Sequence, residues 1–292
     1  MGQILKILIA YDGSQCSNAA LKDLRRAGLP SVVEAMLVTL ADVIVPPSDD
    51  ELPDVPAIRI PEVQQHARAH AAKAINEACA YAELAATRLQ AYFPGWQVKT
   101  KVDCDSPAWA VIRMAADFGT DLVVVGSHGH SSAGGRLIMG SVSQRVLYEA
   151  GCSVRVARCS DERRDGLVRI VVGFNESQDS LEAVEAVASR AWPVGTEVRV
   201  VTAMDASKPE SHARATDKLR AAGLATSEIN RVGDPAHALI KEAEEWGADS
   251  IFVGTRDLHG FRHLLYGSVS SAVAAQALCS VEVVRPTSLK KV

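Results

Sequence analysis

Residues 121–158 read DLVVVGSHGHSSAGGRLIMGSVSQRVLYEAGCSVRVAR, and the rest of the chain can be interpreted from this stretch. The apolar, β-branched run at 122–125 is typical of a buried strand. A glycine- and serine-rich loop follows, and residues 140–143 open a helix. Backbone N–H groups and the positive end of a helix dipole attract anions, and glycine lets the backbone approach them closely. The stretch therefore predicts a phosphate-binding loop.

The same pattern returns at residues 248–285, ADSIFVGTRDLHGFRHLLYGSVSSAVAAQALCSVEVVR. The chain therefore consists of one unit written twice. The polar segment CSDERRDGL at 159–167 predicts a connection between the copies. We predict a first domain over residues 1–160, a linker over 161–167, and a second domain over 168–292.

Outward from these stretches, apolar strands alternate with helices in both copies, which predicts parallel sheets covered by helices on both faces. Ligands then bind at the carboxyl ends of the strands. Five prolines in residues 45–61 predict an irregular surface segment. The predicted strands are 4–11, 32–40, 96–102, 122–125 and 154–156, then 168–174, 197–203, 227–232, 250–253 and 281–284; helices are predicted over 17–26, 62–92, 180–191 and 209–222 and from residues 107, 140, 235 and 267.

Composition narrows the class of protein further. The 292 residues are 48% apolar and 23% charged with a net charge of −4, which argues against nucleic-acid or membrane partners. No apolar run approaches a membrane span, and the N-terminus is expected to form a strand instead of a signal peptide. The six cysteines include no CxxC pair, so we expect reduced thiols in the cytoplasm, with Cys152 and Cys279 buried.

Three motifs resemble the universal stress proteins. These are Asp12-Gly13-Ser14 after the first strand, GSHG…GSVSQRV after the fourth, and the terminal strand CSVRVAR. The late motif of that family reads G-x2-G-x9-G-[S/T]. The resemblance implies two tandem doubly wound α/β domains, each a five-stranded parallel sheet of the Rossmann-like, adenine nucleotide α-hydrolase-like type. It also implies ATP binding and pairing of the two units partly through their last strands, which makes an intramolecular pseudo-dimer and leaves a further homodimer open.

Carried over by position, the resemblance implies a set of ligand residues in each copy. In the first copy, residues after strands one and two surround adenine and ribose, and the loop holds ribose and phosphates, with Mg²⁺ or Mn²⁺ bridging the phosphates. The first set is Ala10, Asp12, Leu40, Gly126, Gly129, Gly140, Ser141, Val142 and Ser143; the second is Gly173, Asn175, Gly254, Gly267, Ser268, Val269 and Ser270.

Both copies depart from the family pattern. Ten residues separate Gly129 from Gly140 where the family has nine, so one residue must bulge. In the second copy Asp257 replaces a glycine and would repel phosphates, and Asn175 replaces the early aspartate. We therefore expect nucleotide in the first domain and weak or no binding in the second.

For several candidate ligand residues, a purely structural role is an alternative to ligand binding. Asp12 could serve as a turn or cap residue, and Ser141 and Ser268 could start helices. His128, His130 and Arg136 could contact phosphates or be solvated loop residues. The pairs His66/His70 and His259/His263 have metal-ligand spacing, but no third ligand is evident, so exposed histidines are expected.

The chain lacks a P-loop G-K-[ST] and a complete G-x-S-x-G elbow, so fast ATP hydrolysis and serine-hydrolase activity are not expected. We expect an ATP-binding stress-response module that regulates an unknown protein partner. The alternatives are a slow ATPase on the same site and a scaffold in which both sites are degenerate.

Overall fold

The computed structural model of the chain describes residues 4–41, 43, 61–128, 139–159, 166–204, 212–255 and 268–286, with the backbone alone at 61–64, 204 and 268. The proline-rich segment up to residue 60, both predicted phosphate loops (129–138 and 256–267) and linker residues 161–165 lie outside these ranges.

Ten strands form a single sheet. They are β1 (Leu5–Ala10), β2 (Val33–Leu40), β3 (Gln97–Asp103), β4 (Leu122–Gly126), β5 (Ser153–Ala157), β6 (Arg169–Gly173), β7 (Glu197–Met204), β8 (Ala225–Val232), β9 (Ser250–Gly254) and β10 (Ser280–Val284). Their order across the sheet is β3-β2-β1-β4-β5-β10-β9-β6-β7-β8. Every neighbouring pair is parallel except β5 and β10, which are antiparallel.

Eight α-helices cover the sheet within the described residues. They are α1 (Gln15–Asp23), α2 (Pro61–Tyr92), α3 (Pro107–Phe118), α4 (Ser141–Glu149), α5 (Gln178–Ala188), α6 (Ala213–Ala221), α7 (Pro235–Trp246) and α8 (Ser268–Gln276). We call β1–β5 with α1–α4 the first half and β6–β10 with α5–α8 the second half. The prediction of two doubly wound five-stranded units is confirmed.

The cores show how the helices are divided between the two faces. One continuous core contains side chains of α3, α4, α7 and α8 and crosses the junction through Val156 and Val281. On the opposite face, α1 and α2 enclose a separate core in the first half, and α5 and α6 enclose another in the second. The core that is continuous across the two halves therefore lies on the face of α3, α4, α7 and α8.

Element boundaries differ from the prediction by a few residues where local capping intervenes. Helix α1 begins at Gln15, because Ser14 is its N-cap and accepts a hydrogen bond from the Ser17 N–H (3.1 Å). Ser106 precedes α3 but makes no side-chain cap hydrogen bond, whereas Asp234 caps α7 through the His237 N–H (2.9 Å). Strand β8 begins two residues before its predicted start.

A buried cluster of charges lies at the junction of the halves. Arg155 on β5 is directly opposite Glu282 on β10, and both are almost fully buried. The Arg155 guanidinium contacts Asp23 (Nε to Oδ2, 2.6 Å) and Glu282 (Nη1 to Oε2, 3.3 Å), and Glu282 also pairs with Arg190. Burial alone would lower the pKa of Arg155, but the two carboxylates outweigh burial and raise it.

A second ion pair crosses the same junction beside the cluster. Nε and Nη2 of Arg26 each lie 2.9 Å from a carboxylate oxygen of Asp249. Asp249 also accepts a hydrogen bond from the Arg169 backbone N–H (2.8 Å), which fixes the carboxylate in place. The bidentate geometry makes this pair a more specific contact than a single salt bridge.

All six cysteines are free thiols, and Cys152 and Cys279 are buried as expected. Burial raises the pKa of Cys152 to about 11, although nearby Arg285 acts in the opposite direction. Because the thiolate is the reactive form, a pKa near this value leaves little of it at neutral or mildly alkaline pH.

We therefore expect iodoacetamide at about pH 8.5 to alkylate Cys152 roughly a hundredfold more slowly in the folded chain than in urea. Peptide mass spectrometry would measure the label at each cysteine. Cys79, which is partly exposed, is the internal control and should react in both states. Equal labelling of Cys152 and Cys79 in the folded chain would contradict the expectation.

Candidate functional site

Each half of the sheet has one point where the strand order reverses. In the first half this point lies between β1 and β4, and in the second between β6 and β9. In such sheets ligands bind in the crevice outside the carboxyl ends of the strands at this point. Because β5 and β10 are antiparallel, the carboxyl ends of the two halves lie on opposite edges of the sheet.

The turn after β1 shows what Asp12 does in the folded chain. Its Oδ1 accepts a hydrogen bond from the Ser14 N–H (3.0 Å), and Gly13 between them adopts a positive φ of 79°. Ser14, and not Asp12, caps α1. Asp12 therefore shapes the turn and remains partly exposed at the crevice.

The end of β4 meets the start of α4. The Gly140 N–H donates to the Ser127 carbonyl (2.8 Å), and Gly140 is the N-cap of α4 without a side-chain cap. Ser141 starts this helix, as its structural alternative predicted, but the N-cap position belongs to Gly140. The Ser143 hydroxyl donates to the Gly126 carbonyl (2.5 Å), so its hydrogen is directed at the sheet and not at a ligand.

The structure brings most of the predicted first-half residues together. Ala10 and Leu40 end neighbouring strands and, with Val142, pack against the core on the side of α4. Gly126 lies against the start of α1, where a Cβ would meet the Cys16 carbonyl carbon at 3.1 Å. Gly129 lies outside the described residues.

The second half repeats this arrangement with different side chains. Asn175 Oδ1 accepts hydrogen bonds from the Ser177 N–H (3.3 Å) and hydroxyl (2.6 Å), and Ser177 caps α5. Glu176, at the position of Gly13, adopts a positive φ of 60°, which is unusual for a residue with a side chain. The turn is thus retained, although the early aspartate and the glycine are both replaced.

A cavity of about 150 Å³ lies at the second switch point. Five predicted residues line it: Gly173, Asn175, Gly254, Val269 and Ser270. Gly267 lies outside the described residues, and only the backbone of Ser268 is described. The cavity is smaller than the roughly 300 Å³ at the lower end of typical small-molecule sites.

Asp179 and Thr255 are two of the lining residues that the sequence analysis did not predict. Asp179, in the first turn of α5, lines the cavity, and its backbone carbonyl lies against Gly254; the Thr255 hydroxyl is buried there without a hydrogen-bond partner among the described residues. Aligning YDGSQCS (11–17) with FNESQDS (174–180) would have identified Asp179, which stands where the first half has Cys16.

Three of the histidines considered as ligands, His66, His70 and His128, lie within the described residues. His66 and His70 are exposed, as expected, and in the described ranges no three His, Cys, Asp or Glu side chains gather as a metal site requires. His128 Nδ1 lies 3.0 Å from Ser127 Oγ. Burial, followed by the Arg158 charge, lowers the pKa of His128, which favours the neutral imidazole at neutral pH. Five further candidates from the sequence analysis lie outside the described ranges: His130, Arg136, Asp257, His259 and His263.

These features define a doubly wound α/β protein with two related crevices. Residues 4–158 and 204–285 match the universal stress protein family. A universal stress protein of Mycolicibacterium smegmatis is 28% identical over 211 residues, which cover 66% of this chain and 70% of that protein. Universal stress protein YxiE of Bacillus subtilis is 35% identical over 71 residues, 24% of this chain and 48% of that one.

The fold is also that of solved universal stress proteins. A universal stress protein from Archaeoglobus fulgidus DSM 4304 superimposes with a TM-score of 0.69 at 19% identity, covering 97% of this chain and 99% of that one. Because the family match extends over most of the sequence, the chain belongs to the universal stress protein family.

Proposed function

We propose that the chain binds ATP in the first-half crevice and acts as a nucleotide-dependent regulatory module in a stress response, without fast catalysis. The observation that carries this proposal is the meeting of three elements at the β1/β4 switch point. They are the Asp12 turn, the end of β4 at Gly126, and the start of α4 at Gly140, where no side chain caps the helix. A helix start without a side-chain cap suits a bound phosphate.

Each part of ATP has a matching group in this proposal. Ala10, Asp12 and Leu40 contact adenine and ribose, with the partly exposed Asp12 carboxylate accepting hydrogen bonds from ribose hydroxyls. Backbone N–H groups in the first turn of α4 receive phosphate oxygens. In this proposal the ribose and phosphates together contact Gly126, Gly129, Gly140, Ser141, Val142 and Ser143. Mg²⁺ or Mn²⁺ would be held by the phosphates and water.

The second crevice is proposed to bind nucleotide weakly. Its cavity is small, and Asp257, which replaces a glycine of the loop motif, would bring a negative charge that repels phosphates. The residues that would contact a ligand there are Gly173, Asn175, Gly254, Gly267, Ser268, Val269 and Ser270. Because the two crevices would differ in nucleotide affinity, each chain would have one strong ATP site.

The regulatory role would act through a protein partner that recognises the ATP-bound surface. A cytoplasmic location is part of the proposal. Within the residues that the structure describes, no helix combines the length and apolar character that crossing a membrane requires.

The test compares Asp12→Ala with Asn175→Ala, the matched substitution in the second half. Titration calorimetry with Mg-ATP should show one dominant site, weakened at least about tenfold by Asp12→Ala because a hydrogen bond to a charged group is lost. Asn175→Ala should change the affinity less than about twofold. Equal losses in both variants would move the main site away from the first half.

Mass spectrometry of small molecules released on denaturation would show whether ATP or ADP accompanies the purified chain. Wild type that neither releases nucleotide nor binds Mg-ATP would favour the scaffold alternative. Phosphate release that scales with protein concentration and disappears in Gly140→Trp would favour the slow ATPase.

A further inference from the structure

Arg158 is a buried cation that joins the two halves. It follows β5 at the carboxyl edge of the first half and is 7% exposed. Its backbone N–H donates to Ser280 Oγ (3.2 Å), and its Nη2 donates to the Ala274 carbonyl near the end of α8. Its other two nitrogen atoms, Nε and Nη1, are buried and donate to no acceptor in the described part of the chain.

A third nitrogen atom without a hydrogen-bond partner in the described part of the chain belongs to His128, next to Arg158. The Ser127 N–H donates to the Ala157 carbonyl (2.9 Å), which places the Ser127-His128 segment beside Arg158. His128 Nδ1 is 3.0 Å from Ser127 Oγ, and its Nε2 is buried without a hydrogen-bond partner. The effect of the Arg158 charge on the His128 pKa agrees with this proximity. Among the described residues, three buried nitrogen atoms of two neighbouring side chains thus lack acceptors.

Within the described ranges, no carboxylate forms an ion pair with Arg158. Among the described groups, those that raise its pKa against the larger effect of burial are the thiols of Cys279 and Cys16, with no carboxylate. Buried cations in proteins are normally paired, because an isolated charge in a poorly solvated place is costly. Buried polar groups in folded proteins are normally hydrogen-bonded, so a buried arginine of this kind is suited to binding an anion.

The second half contains a matched arginine, Arg285, which is less buried than Arg158. Arg285 follows β10 as Arg158 follows β5, and its N–H donates to Ser153 Oγ (3.1 Å). Its Nη2 donates to carbonyls at the end of α4, those of Leu147 (3.4 Å) and Tyr148 (3.5 Å). Arg285 is only partly buried, so water can solvate its charge. Arg285 thus contacts the end of the opposite helix while remaining partly exposed. The same contact in Arg158 therefore does not require its side chain to be buried.

We propose that Arg158 and His128 bind a phosphate-type oxyanion at the junction of the two halves. The planar guanidinium offers Nε and Nη1 to two oxygen atoms of one anion, the geometry in which arginine recognises phosphate. When His128 Nδ1 accepts the Ser127 hydroxyl, its Nε2 carries the hydrogen and becomes the third donor.

The oxyanion can come from inorganic phosphate or from the phosphates of a nucleotide. The site adjoins the proposed ATP crevice, because Gly126 pairs with Ala157 in the sheet. It does not depend on ATP binding, because the three donors lie outside the residues proposed to contact ATP. The two sources are separated by the ligands used in the test.

The experiment uses the full chain and compares Arg158→Gln with Arg285→Gln. Thermal unfolding is followed in potassium phosphate and in potassium chloride of equal ionic strength. Phosphate at about ten times its Kd should raise the Tm of wild type and Arg285→Gln by about 3 °C and leave Arg158→Gln unchanged. Equal stabilisation of all three proteins would overturn the proposal.

A second variant covers the case in which Arg158→Gln does not fold. His128→Phe keeps a ring of similar shape but removes the Nε2 donor, and should weaken phosphate binding at least about fivefold by calorimetry. An unchanged phosphate affinity in this variant would count against the proposal.

Mg-ATP titrations identify the source of the anion. Stabilisation by inorganic phosphate that depends on Arg158 assigns the site to free phosphate. An ATP affinity that falls in Arg158→Gln, with no response to inorganic phosphate, assigns it to the nucleotide. ATP binding equal in wild type and Arg158→Gln, together with no response to phosphate, overturns this inference and leaves the proposed function intact. An Arg158-dependent response to phosphate without any ATP binding supports the inference and contradicts the proposed function.

Discussion

Replacing Arg155 with methionine should lower the free energy of unfolding by about 3–5 kcal/mol. The substitution keeps much of the side-chain volume but removes the cation that lies between Asp23 and Glu282. Glu282 would retain Arg190, whereas Asp23 would keep only the hydrogen bond from Ser280 Oγ (2.7 Å) among its described contacts in this cluster. Two carboxylates would then share one cation, and the partly buried Asp23 would lose its counter-charge. Urea denaturation followed by circular dichroism would measure the loss.

Lys73→Met on α2 is the control, because it removes a solvent-exposed pair with Glu77. Exposed pairs contribute little, so its midpoint should stay close to that of wild type. Because the Arg155 cluster joins the two halves, its loss should also broaden the transition or divide it in two. A cost for Arg155→Met below about 1 kcal/mol would contradict the assigned role of this cluster.

Gly254→Ala should destabilise the chain by about 2–3 kcal/mol, because the new methyl group has no room. A Cβ at this position would lie 2.1 Å from the Asp179 carbonyl oxygen and 2.4 Å from its carbon. Both are backbone atoms in the first turn of α5, so the helix start must move away from β9. That movement would also deform the second-half cavity, which both residues line.

The duplicated chain provides the matched control for this substitution. Gly126 occupies the same place in the first half, where the nearest backbone atoms would be 3.1 and 3.2 Å from the added Cβ. Small adjustments can relieve that contact, and alanine reduces the entropy of the unfolded chain. Gly126→Ala should therefore cost less than about 1 kcal/mol. Thermal unfolding of the two variants would measure the difference, and equal losses would contradict it.

The doubled strand, loop and helix pattern was sufficient to predict the fold, because a parallel sheet needs buried apolar strands and helical connections. The β5–β10 pairing through the last strands was expected from the family resemblance and is present in the structure. Capping was predicted less well. Asp12 and Ser14 are both common at helix starts, and only the folded turn shows that Ser14 accepts the Ser17 N–H.

The junction could not be predicted from the sequence. Arg155 stands in an otherwise apolar strand, and its partners Asp23 and Glu282 are 132 and 127 residues away along the chain. No short-range periodicity connects residues at such separations. The burial of Arg158 depends on the same long-range arrangement, since Ala274 and Ser280 belong to the other half.

The unlike charges at the centre of the β5–β10 pairing make the two halves complementary. Residues 155 and 282 hold equivalent places in the two copies, so pairing of a half with a duplicate of itself in the same register would set like charges against each other. Two buried guanidinium groups or two buried carboxylates would repel strongly. This one charge pair therefore favours pairing of the first half with the second half over pairing of either half with a copy of itself.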